Sequence, residues 1–153
     1  MNSEEGEVTK AKRKMTESPL MIKSKELALE VIKVCKELRN SKCEGALISQ
    51  FLRSGTSVGA NVREAQYAHG TADFIAKLQI ALKECSETEY WIELLLESGY
   101  YSNKTILEKC VEVKKILISS VNTAKEKANN RFSTTAAPSD VCLSPRSTLR
   151  KTI

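Results

Sequence analysis

Five cysteines are the side chains of this sequence best suited to nucleophilic or metal chemistry: Cys35, Cys43, Cys85, Cys110 and Cys142. A zinc site needs closely spaced thiols or several histidines, and the chain has no CxxC pair and a single histidine. The count is odd and no secretion signal is recognisable, so we expect free thiols in a reducing compartment. Cys35, Cys85 and Cys110 fall on apolar helical stripes, which favours core side chains over reactive ones.

The single histidine, His69, also limits the enzyme chemistry that we expect. Its neighbours Ala68 and Gly70 place it at a connection between helices, where a solvated turn residue is more common than a member of a catalytic triad or Cys-His pair. A carboxylate-bridged metal centre in a helical bundle takes two Glu-x-x-His motifs, and here Gln66 stands three residues before the histidine. We expect no catalytic residues, no metal and no cofactor, with a metalloenzyme as the most distant alternative.

Glu89 is the acidic residue that fits a solvent-exposed position least well, because it interrupts a line of apolar residues. The line consists of Ile75, Leu82 and Leu96. A carboxylate among apolar side chains needs a hydrogen-bond donor, and the preceding predicted helix offers four. These are Arg53, Ser54, Asn61 and Arg63. We favour a structural polar role for Glu89 and Asn61 over catalysis by Glu89.

Four basic residues carry the one functional hypothesis that the side chains leave open. Arg53 and Arg63 lie off the apolar stripe of the second predicted helix, and Lys77 and Lys83 lie off that of the third. In an oligomeric ring their charge would multiply with the number of subunits, which favours binding to nucleic-acid phosphates. No aromatic residues alternate with them, so base stacking is not indicated. The simpler alternative is an ordinary solvated surface.

Composition agrees with a small helical protein that carries a mild positive charge. The 153 residues include 24 Lys and Arg against 19 Asp and Glu, which gives a net charge of +5, and aromatic residues make up 5%. That basic excess is weaker than a dedicated duplex-DNA domain usually shows. No apolar run approaches the roughly 18–20 residues of a membrane span and no signal peptide is recognisable, so we expect a cytoplasmic protein without membrane association.

Apolar residues recur at helical spacing in four segments, which predicts four helices. They span residues 24–39, 44–68, 72–98 and 103–127. The third has the clearest repeat, formed by Phe74, Leu78, Ala81, Cys85, Thr88, Ile92 and Leu95. Ser24 is the expected N-cap of the first helix, and Gly99 is the expected left-handed stop of the third. Short connections between amphipathic helices predict an all-α, antiparallel up-down-up-down four-helix bundle.

Residues 54–60 of the second segment have poor helix propensity, because they include Gly55 and Gly59. The apolar stripe nevertheless continues through Val58 to Val62, so we favour an unbroken helix. Its small side chains would let a neighbouring helix approach closely. A loop over residues 54–60 is the alternative.

Two terminal segments lie outside the predicted bundle, which we place at residues 23–128. Residues 1–22 mix acidic and basic side chains with no sustained apolar period, which predicts a flexible leader. Residues 129–153 are rich in Ser, Thr and Pro, and four basic residues against one acid give them a net charge of +3. That composition predicts a disordered tail.

The third and fourth predicted helices carry more apolar side chains than one buried face needs, which indicates self-association. The interface residues that we predict are Trp91, Leu94, Leu107, Val111, Ile116, Leu117 and Ile118. The alternative is that these side chains are buried more deeply within a single subunit.

Long ungapped blocks of the sequence resemble a known family. They are QFLRSGTSVGANVREA at residues 50–65, DFIAKLQIALKE at residues 73–84 and ETEYWIELL at residues 87–95. These blocks are similar to the signature of the four helix bundle protein family, also called the 23S rRNA intervening-sequence protein (S23) family. The resemblance covers about residues 20–127 and excludes both terminal segments.

This resemblance implies a small bacterial protein that assembles into a pentameric ring of four-helix bundles. The family has no agreed catalytic residues and its function is essentially unknown. A more distant likeness to the accessory protein of diversity-generating retroelements, a basic pentamer, implies RNA or a nucleic-acid-processing protein as a partner. We therefore expect a non-enzymatic homo-oligomer that acts as an RNA-associated accessory factor, with a protein-interaction scaffold as the alternative.

Overall fold

A computed structural model describes residues 17–134, and these residues form four helices and no strand. The helices are α1 (Pro19–Asn40), α2 (Gly45–Ala65), α3 (Thr71–Glu97) and α4 (Thr105–Thr134). Each helix packs against the two neighbours that precede and follow it in the chain, and α4 closes the arrangement by packing against α1. The predicted all-α class and antiparallel four-helix bundle are therefore confirmed. The predictions for residues 1–16 and 135–153 lie outside the described residues.

The first helix begins five residues earlier than the sequence predicts. Ser18 is its N-cap, and the Ser18 hydroxyl accepts a hydrogen bond from the backbone N–H of Met21 at 3.3 Å. Pro19 follows at the first helical position, where its fixed φ fits and its missing N–H costs nothing. Ser24, the predicted cap, is buried in the helix and donates to the Met21 carbonyl at 3.2 Å. Residues 19–22 of the predicted leader are thus helical.

The second helix runs without a break through residues 54–60, so the loop alternative is wrong. Gly55 faces Val31 of α1, and a Cβ added at Gly55 would lie 2.6 Å from one Val31 methyl carbon. The small side chain is needed at this point because α1 and α2 approach closely. Packing between helices therefore outweighs the low intrinsic helix propensity of the segment.

The connection from α3 to α4 begins with the left-handed glycine that the sequence predicts. Gly99 has φ of +77°, in the left-handed region where glycine is favoured. At the start of α4, the Oδ1 atom of Asn103 accepts a hydrogen bond from the backbone N–H of Thr105 at 2.9 Å. This last helix continues to Thr134, so residues 129–134 of the predicted tail are helical.

The core is one apolar cluster to which all four helices contribute. Its largest fully buried side chains are Phe51, Leu27, Leu38, Leu78, Ile92, Ile106 and Leu117, with valines between them. Ser54 of α2 and Thr88 of α3 are also fully buried, and their hydroxyl oxygens lie 3.1 Å apart. Thr88 additionally donates to the Glu84 carbonyl at 2.8 Å, so these core hydroxyls are satisfied.

The up-down topology brings three separate parts of the chain to one end of the bundle. They are the start of α1, the α2–α3 connection that holds His69, and the second half of α4. We call this the His69 end. The opposite end holds the connections α1–α2 and α3–α4.

Candidate nucleic-acid interface

Arg53, the first cation of the predicted phosphate-binding set, is bound to acids of the neighbouring helix. Its Nη1 lies 3.2 Å from the Glu84 carboxylate, its Nη2 donates to Glu87, and its Nε donates to Gln50 at 3.3 Å. The hydrogen bond from Arg53 lowers the pKa of the Glu87 carboxyl below its usual value. The positive charge of Arg53 is therefore already balanced within the subunit.

Lys77 also forms an ion pair between the same two helices, but here the cation is on α3 and the acid is on α2. Its Nζ lies 2.6 Å from the Glu64 carboxylate, and this hydrogen bond raises the pKa of Lys77. We call the surface formed by Arg53, Lys77 and their acidic partners the α2–α3 face. Two of the four predicted phosphate contacts thus lie on a surface where carboxylates surround them.

Arg63 and Lys83 are the two predicted cations that stay accessible. Both are exposed, and neither forms an ion pair with any of the described residues. Arg63 lines a groove of about 260 Å³ between α1 and α2, together with Lys25. The other lining residues of this α1–α2 groove are mostly small or apolar, and none is acidic.

Glu89, for which the sequence predicts a structural polar role, is hydrogen-bonded within the subunit. It accepts a hydrogen bond from Lys114 of α4 at 2.5 Å, and none from the donors of α2. Glu89 raises the pKa of Lys114 through this hydrogen bond. Asn61 instead donates to the Ser57 carbonyl of its own helix at 2.9 Å. The apolar line on α3 faces α4 at this level, so the donor comes from α4.

The predicted interface residues fall into three groups by exposure. Leu117 is fully buried in the subunit, so its assignment to an interface is wrong; it belongs to the central stripe of α4. Ile118 is 41% exposed and is free to contact a partner. The remaining five, Trp91, Leu94, Leu107, Val111 and Ile116, are half-buried.

An exposed apolar stripe on α1 is not among the interface residues that the sequence predicts. Ile22 and Leu29 are 41% and 58% exposed and lie seven residues apart, so they share one outward face of the helix. Ile32 is 38% exposed on the adjoining side. The spacing of these residues is visible in the sequence, but their stripe can be told from the core stripe only when the packing of α1 is known.

Buried thiols occupy the positions that the sequence predicts for them. Cys35, Cys85 and Cys110 are fully buried, and burial raises the pKa of Cys35 to about 11. The sulfur atoms of Cys85 and Cys110 are 3.7 Å apart between α3 and α4. The hydrogen bond with Cys85 and burial both raise the pKa of Cys110. Cys43 is half-buried, and Cys142 lies outside the described residues.

A larger groove opens at the His69 end, between α4 and the α2–α3 connection. It has a volume of about 610 Å³. Its lining residues are Ala65, Gln66, Ala68, Gly70, Thr71, Phe74, Ser119, Ser120, Thr123, Ala124, Lys127 and Arg131. We call it the corner groove. The groove forms where small residues of the α2–α3 connection lie opposite α4. At this point the large apolar side chains of the α4 stripe are replaced by the smaller Ser120 and Ala124.

Neither a metal centre nor a membrane span is visible in the part of the chain that the structure describes. No cluster of three or more His, Cys, Asp or Glu side chains there has the geometry to hold a metal ion. Between residues 17 and 134, no helix combines the length and apolar character needed to cross a bilayer.

Four antiparallel helices around a single apolar core, with ion pairs bridging their outer surfaces, define a small all-α protein of the four-helix-bundle class. The model of the 23S rRNA-intervening sequence protein family matches residues 17–119, and the chain belongs to that family. It is also similar to the crystal structure of a protein with unknown function from the S23 ribosomal protein family of Bacteroides thetaiotaomicron VPI-5482. The identity is 46%, over 67% of this chain and 97% of that one, with a TM-score of 0.65. No curated protein matches the chain.

Proposed function

We propose that the chain is a non-enzymatic, homo-oligomeric accessory factor that binds RNA at the His69 end of its bundle. The observation that carries the proposal is that two grooves at this end are lined by cations and by no carboxylate. Lys25 and Arg63 line one, and Lys127 and Arg131 line the other. An RNA phosphate that approaches Lys25, Arg63 or Lys127 breaks no ion pair with the described residues.

Self-association of the chain is supported by apolar side chains that are exposed within the described residues 17–134. Those on α1, namely Ile22, Leu29 and Ile32, form the largest group, and Ile118 of α4 is comparably exposed. Burial of such side chains between subunits is favourable by about 25 cal/mol per Å². A closed ring needs two different patches on each subunit, and α1 and α4 offer them.

A ring would also strengthen a weak local charge. The described residues 17–134 contain 17 Lys and Arg and 15 Asp and Glu, so each folded subunit carries a net charge of only +2. A ring of five, which is the assembly that the family resemblance implies, multiplies that charge fivefold and gives the RNA several equivalent contacts. Multivalent binding then compensates for modest affinity at each subunit.

Two measurements test the proposal. Multi-angle light scattering of the full chain should give the mass of an oligomer, and a monomer at all concentrations would contradict the assembly. Fluorescence anisotropy with a single-stranded RNA, repeated across salt concentrations, should show affinity falling as salt rises. Binding without salt dependence would contradict phosphate contacts.

A protein-interaction scaffold without RNA is the second candidate, and the α2–α3 face favours it. On that face Arg53 and Lys77 pair with Glu64, Glu84 and Glu87, so the surface is mixed in charge, as protein interfaces often are at their rims. Protein purified without nuclease treatment distinguishes the two: bound RNA gives a high 260/280 nm absorbance ratio, and a pure scaffold does not.

A further inference from the structure

We propose that the corner groove is a phosphate-binding site, and that the phosphates it takes are those of an RNA backbone. The inference rests on the proposed RNA-binding function and assigns it to specific side chains: Lys127, Ser119, Ser120 and Thr123 of α4, with Thr71 of α3 across the groove.

Charge is the first reason. Lys127 lines the groove and forms no ion pair with any residue between 17 and 134. Arg131 adds a second positive charge one turn further along α4. No carboxylate lines the groove, although 15 acidic residues lie in the described part of the chain. An anion bound here therefore meets attraction that no lining acid opposes.

The hydroxyl groups are the second reason, and they are independent of the charge. Some helical hydroxyls elsewhere in the bundle bond to the protein: Thr56 donates to the Leu52 carbonyl at 2.8 Å, and Thr88 donates to the Glu84 carbonyl. Others, such as those of Ser57 and Ser86, make no bond within the described residues. The hydroxyls of Ser119, Ser120, Thr123 and Thr71 make no such bond within the described residues. Hydroxyls and lysines are the side chains that commonly donate to phosphate oxygens.

Spacing on α4 places these donors on one surface. Ser120, Thr123 and Lys127 are separated by three and four residues, which is the repeat of a single helix face. Ala65 and Ala124 contribute only methyl groups and Phe74 packs against the core, so the groove keeps its depth. Its volume of about 610 Å³ lies within the ~300–1,000 Å³ typical of ligand sites.

The first experiment locates phosphate on the full chain by NMR. Backbone amide shifts are recorded while inorganic pyrophosphate is added, and then while a short oligouridylate is added. Both ligands should shift the amides of Ser119, Thr123 and Lys127 more than those of the α2–α3 face, which includes Arg53. Shifts confined to the α2–α3 face would overturn the assignment.

The second experiment removes the charge while the helix stays intact. Lys127→Ala should weaken oligouridylate binding about threefold to tenfold and reduce the slope of log affinity against log salt by about 0.7, the value for one single-strand phosphate contact. Lys125→Ala is the matched control, since Lys125 is exposed on the same helix but does not line the groove. Equal losses in the two variants would overturn the site.

A third variant separates hydrogen bonding from charge. Ser120→Ala combined with Thr123→Val should weaken binding about twofold to fivefold and leave the salt slope unchanged, since no charge is removed. An unchanged affinity in this variant would overturn the role of the hydroxyls. Circular dichroism and thermal melting of all variants show whether the bundle remains folded.

Failure of the site and failure of the function give different results. RNA binding by wild type that neither shifts the groove amides nor responds to Lys127→Ala would overturn the site and leave the RNA function standing. Pyrophosphate binding in the groove without RNA binding would overturn the RNA function and support a site for small phosphorylated molecules. Absence of both would overturn both proposals.

Discussion

The α2–α3 face and the corner groove both present cations on the outside of the bundle, yet Arg53 of the face is paired with acids whereas Lys127 of the groove forms no ion pair with the described residues. Arg53 meets Glu84 and Glu87, which lie about one turn apart on α3 and reach across to α2. Lys127 shares the corner groove with Ala65, Ala68 and Gly70, none of which carries a side chain that can pair with a cation. Within residues 17–134, Arg53 is paired and Lys127 is not, because the element beside Arg53 is α3 with its acids and the element beside Lys127 is the α2–α3 connection with its small residues.

This comparison shows why a pattern of basic residues on one helix does not define a nucleic-acid site. Releasing Arg53 to a phosphate means breaking hydrogen bonds to two carboxylates, and those carboxylates then repel the phosphate. A phosphate that approaches Lys127 breaks no ion pair with the described residues. The acids across the helix–helix boundary therefore determine which cations are already paired within the subunit.

The largest expected effect comes from a charge placed in the core that supports both surfaces. Leu117→Asp buries an unpaired carboxylate at a fully buried position of α4, three residues before Ser120. We expect a loss of about 3–5 kcal/mol in the free energy of unfolding, and loss of RNA binding with the fold. Urea denaturation followed by circular dichroism measures it.

Ile118→Asp is the matched control for that variant. Ile118 is the next residue along the chain but is 41% exposed, so an aspartate there stays hydrated. The variant should remain within about 1 kcal/mol of wild type and should weaken self-association, since it places a charge on an exposed apolar position. A large loss of stability without any change in oligomer mass would show that Ile118 belongs to the core.

The next effect concerns the position of α2, the helix that carries Arg53. Gly55→Ala adds a Cβ that would lie 2.6 Å and 2.9 Å from the two methyl carbons of the buried Val31. Overpacking costs about 1–3 kcal/mol and exceeds the ~1 kcal/mol gained in helix propensity, so we expect net destabilisation.

Gly59→Ala tests the same helix without the clash. Its added Cβ would be 3.4 Å from the Ser24 carbonyl oxygen, an ordinary contact, so the variant should gain up to about 1 kcal/mol. Chemical denaturation of the two variants side by side measures the difference. Two variants of equal stability would mean that α1 and α2 can separate at Gly55 without cost.

A smaller effect is expected when two acids of the α2–α3 face are neutralised, which would make that face a second basic site. Glu84→Gln with Glu87→Gln keeps the side-chain shapes but removes the charges that balance Arg53. RNA affinity should rise a few-fold, and the slope of log affinity against log salt should steepen by about 0.7. Anisotropy titrations across salt measure both quantities.

The control for that variant changes the net charge by the same amount. Glu93→Gln with Glu97→Gln removes two exposed acids of α3 that form no ion pair within residues 17–134. Any affinity gained in this control reports the net charge alone. If both double variants gain equally, the ion pairs of Arg53 are not what keeps RNA from the α2–α3 face.

The sequence was enough to predict the four helices and their core, because each helix repeats apolar residues at its own period. The apolar stripe through Val58 and Val62 correctly predicted a continuous α2 helix in spite of the two glycines within it. The start of α1 was misplaced because Ser24 resembles a cap as well as Ser18 does, and only Ser18 bonds to a free N–H of the first turn.

The candidate site was much harder to predict, since it depends on which side chains face one another across helices. Lys114 is the partner of Glu89, and nothing in the spacing of α3 indicates whether α2 or α4 lies opposite. The corner groove joins residues more than fifty positions apart, such as Ala65 and Ser120. One signal was present: the stripe of α4 turns polar at Ser120, in the same stretch as Lys127.

The smallest effect is a change in how stability depends on pH when Arg53 is removed. The hydrogen bond from Arg53 lowers the pKa of Glu87 below its ordinary value of 4.5, so the folded protein binds this proton less tightly than the unfolded chain does. A lowered pKa in the folded state stabilises the fold above pH 4.5, and this stabilisation disappears as the pH falls through the folded-state pKa. Arg53→Ala should therefore cost more stability near neutral pH than in acid.

Thermal melting of wild type and Arg53→Ala at about pH 7 and about pH 3 measures this difference. The two melting temperatures should differ at the higher pH and approach each other at the lower, because protonation of Glu87 weakens its interaction with Arg53. Lys127→Ala provides the contrast, since Lys127 has no carboxylate partner among the described residues and its removal should shift stability equally at both pH values. If Arg53→Ala shifts the melting temperature no more than Lys127→Ala does at about pH 7, the ion pairs of the α2–α3 face do not stabilise the bundle, and the contrast between paired and available cations would not hold in solution.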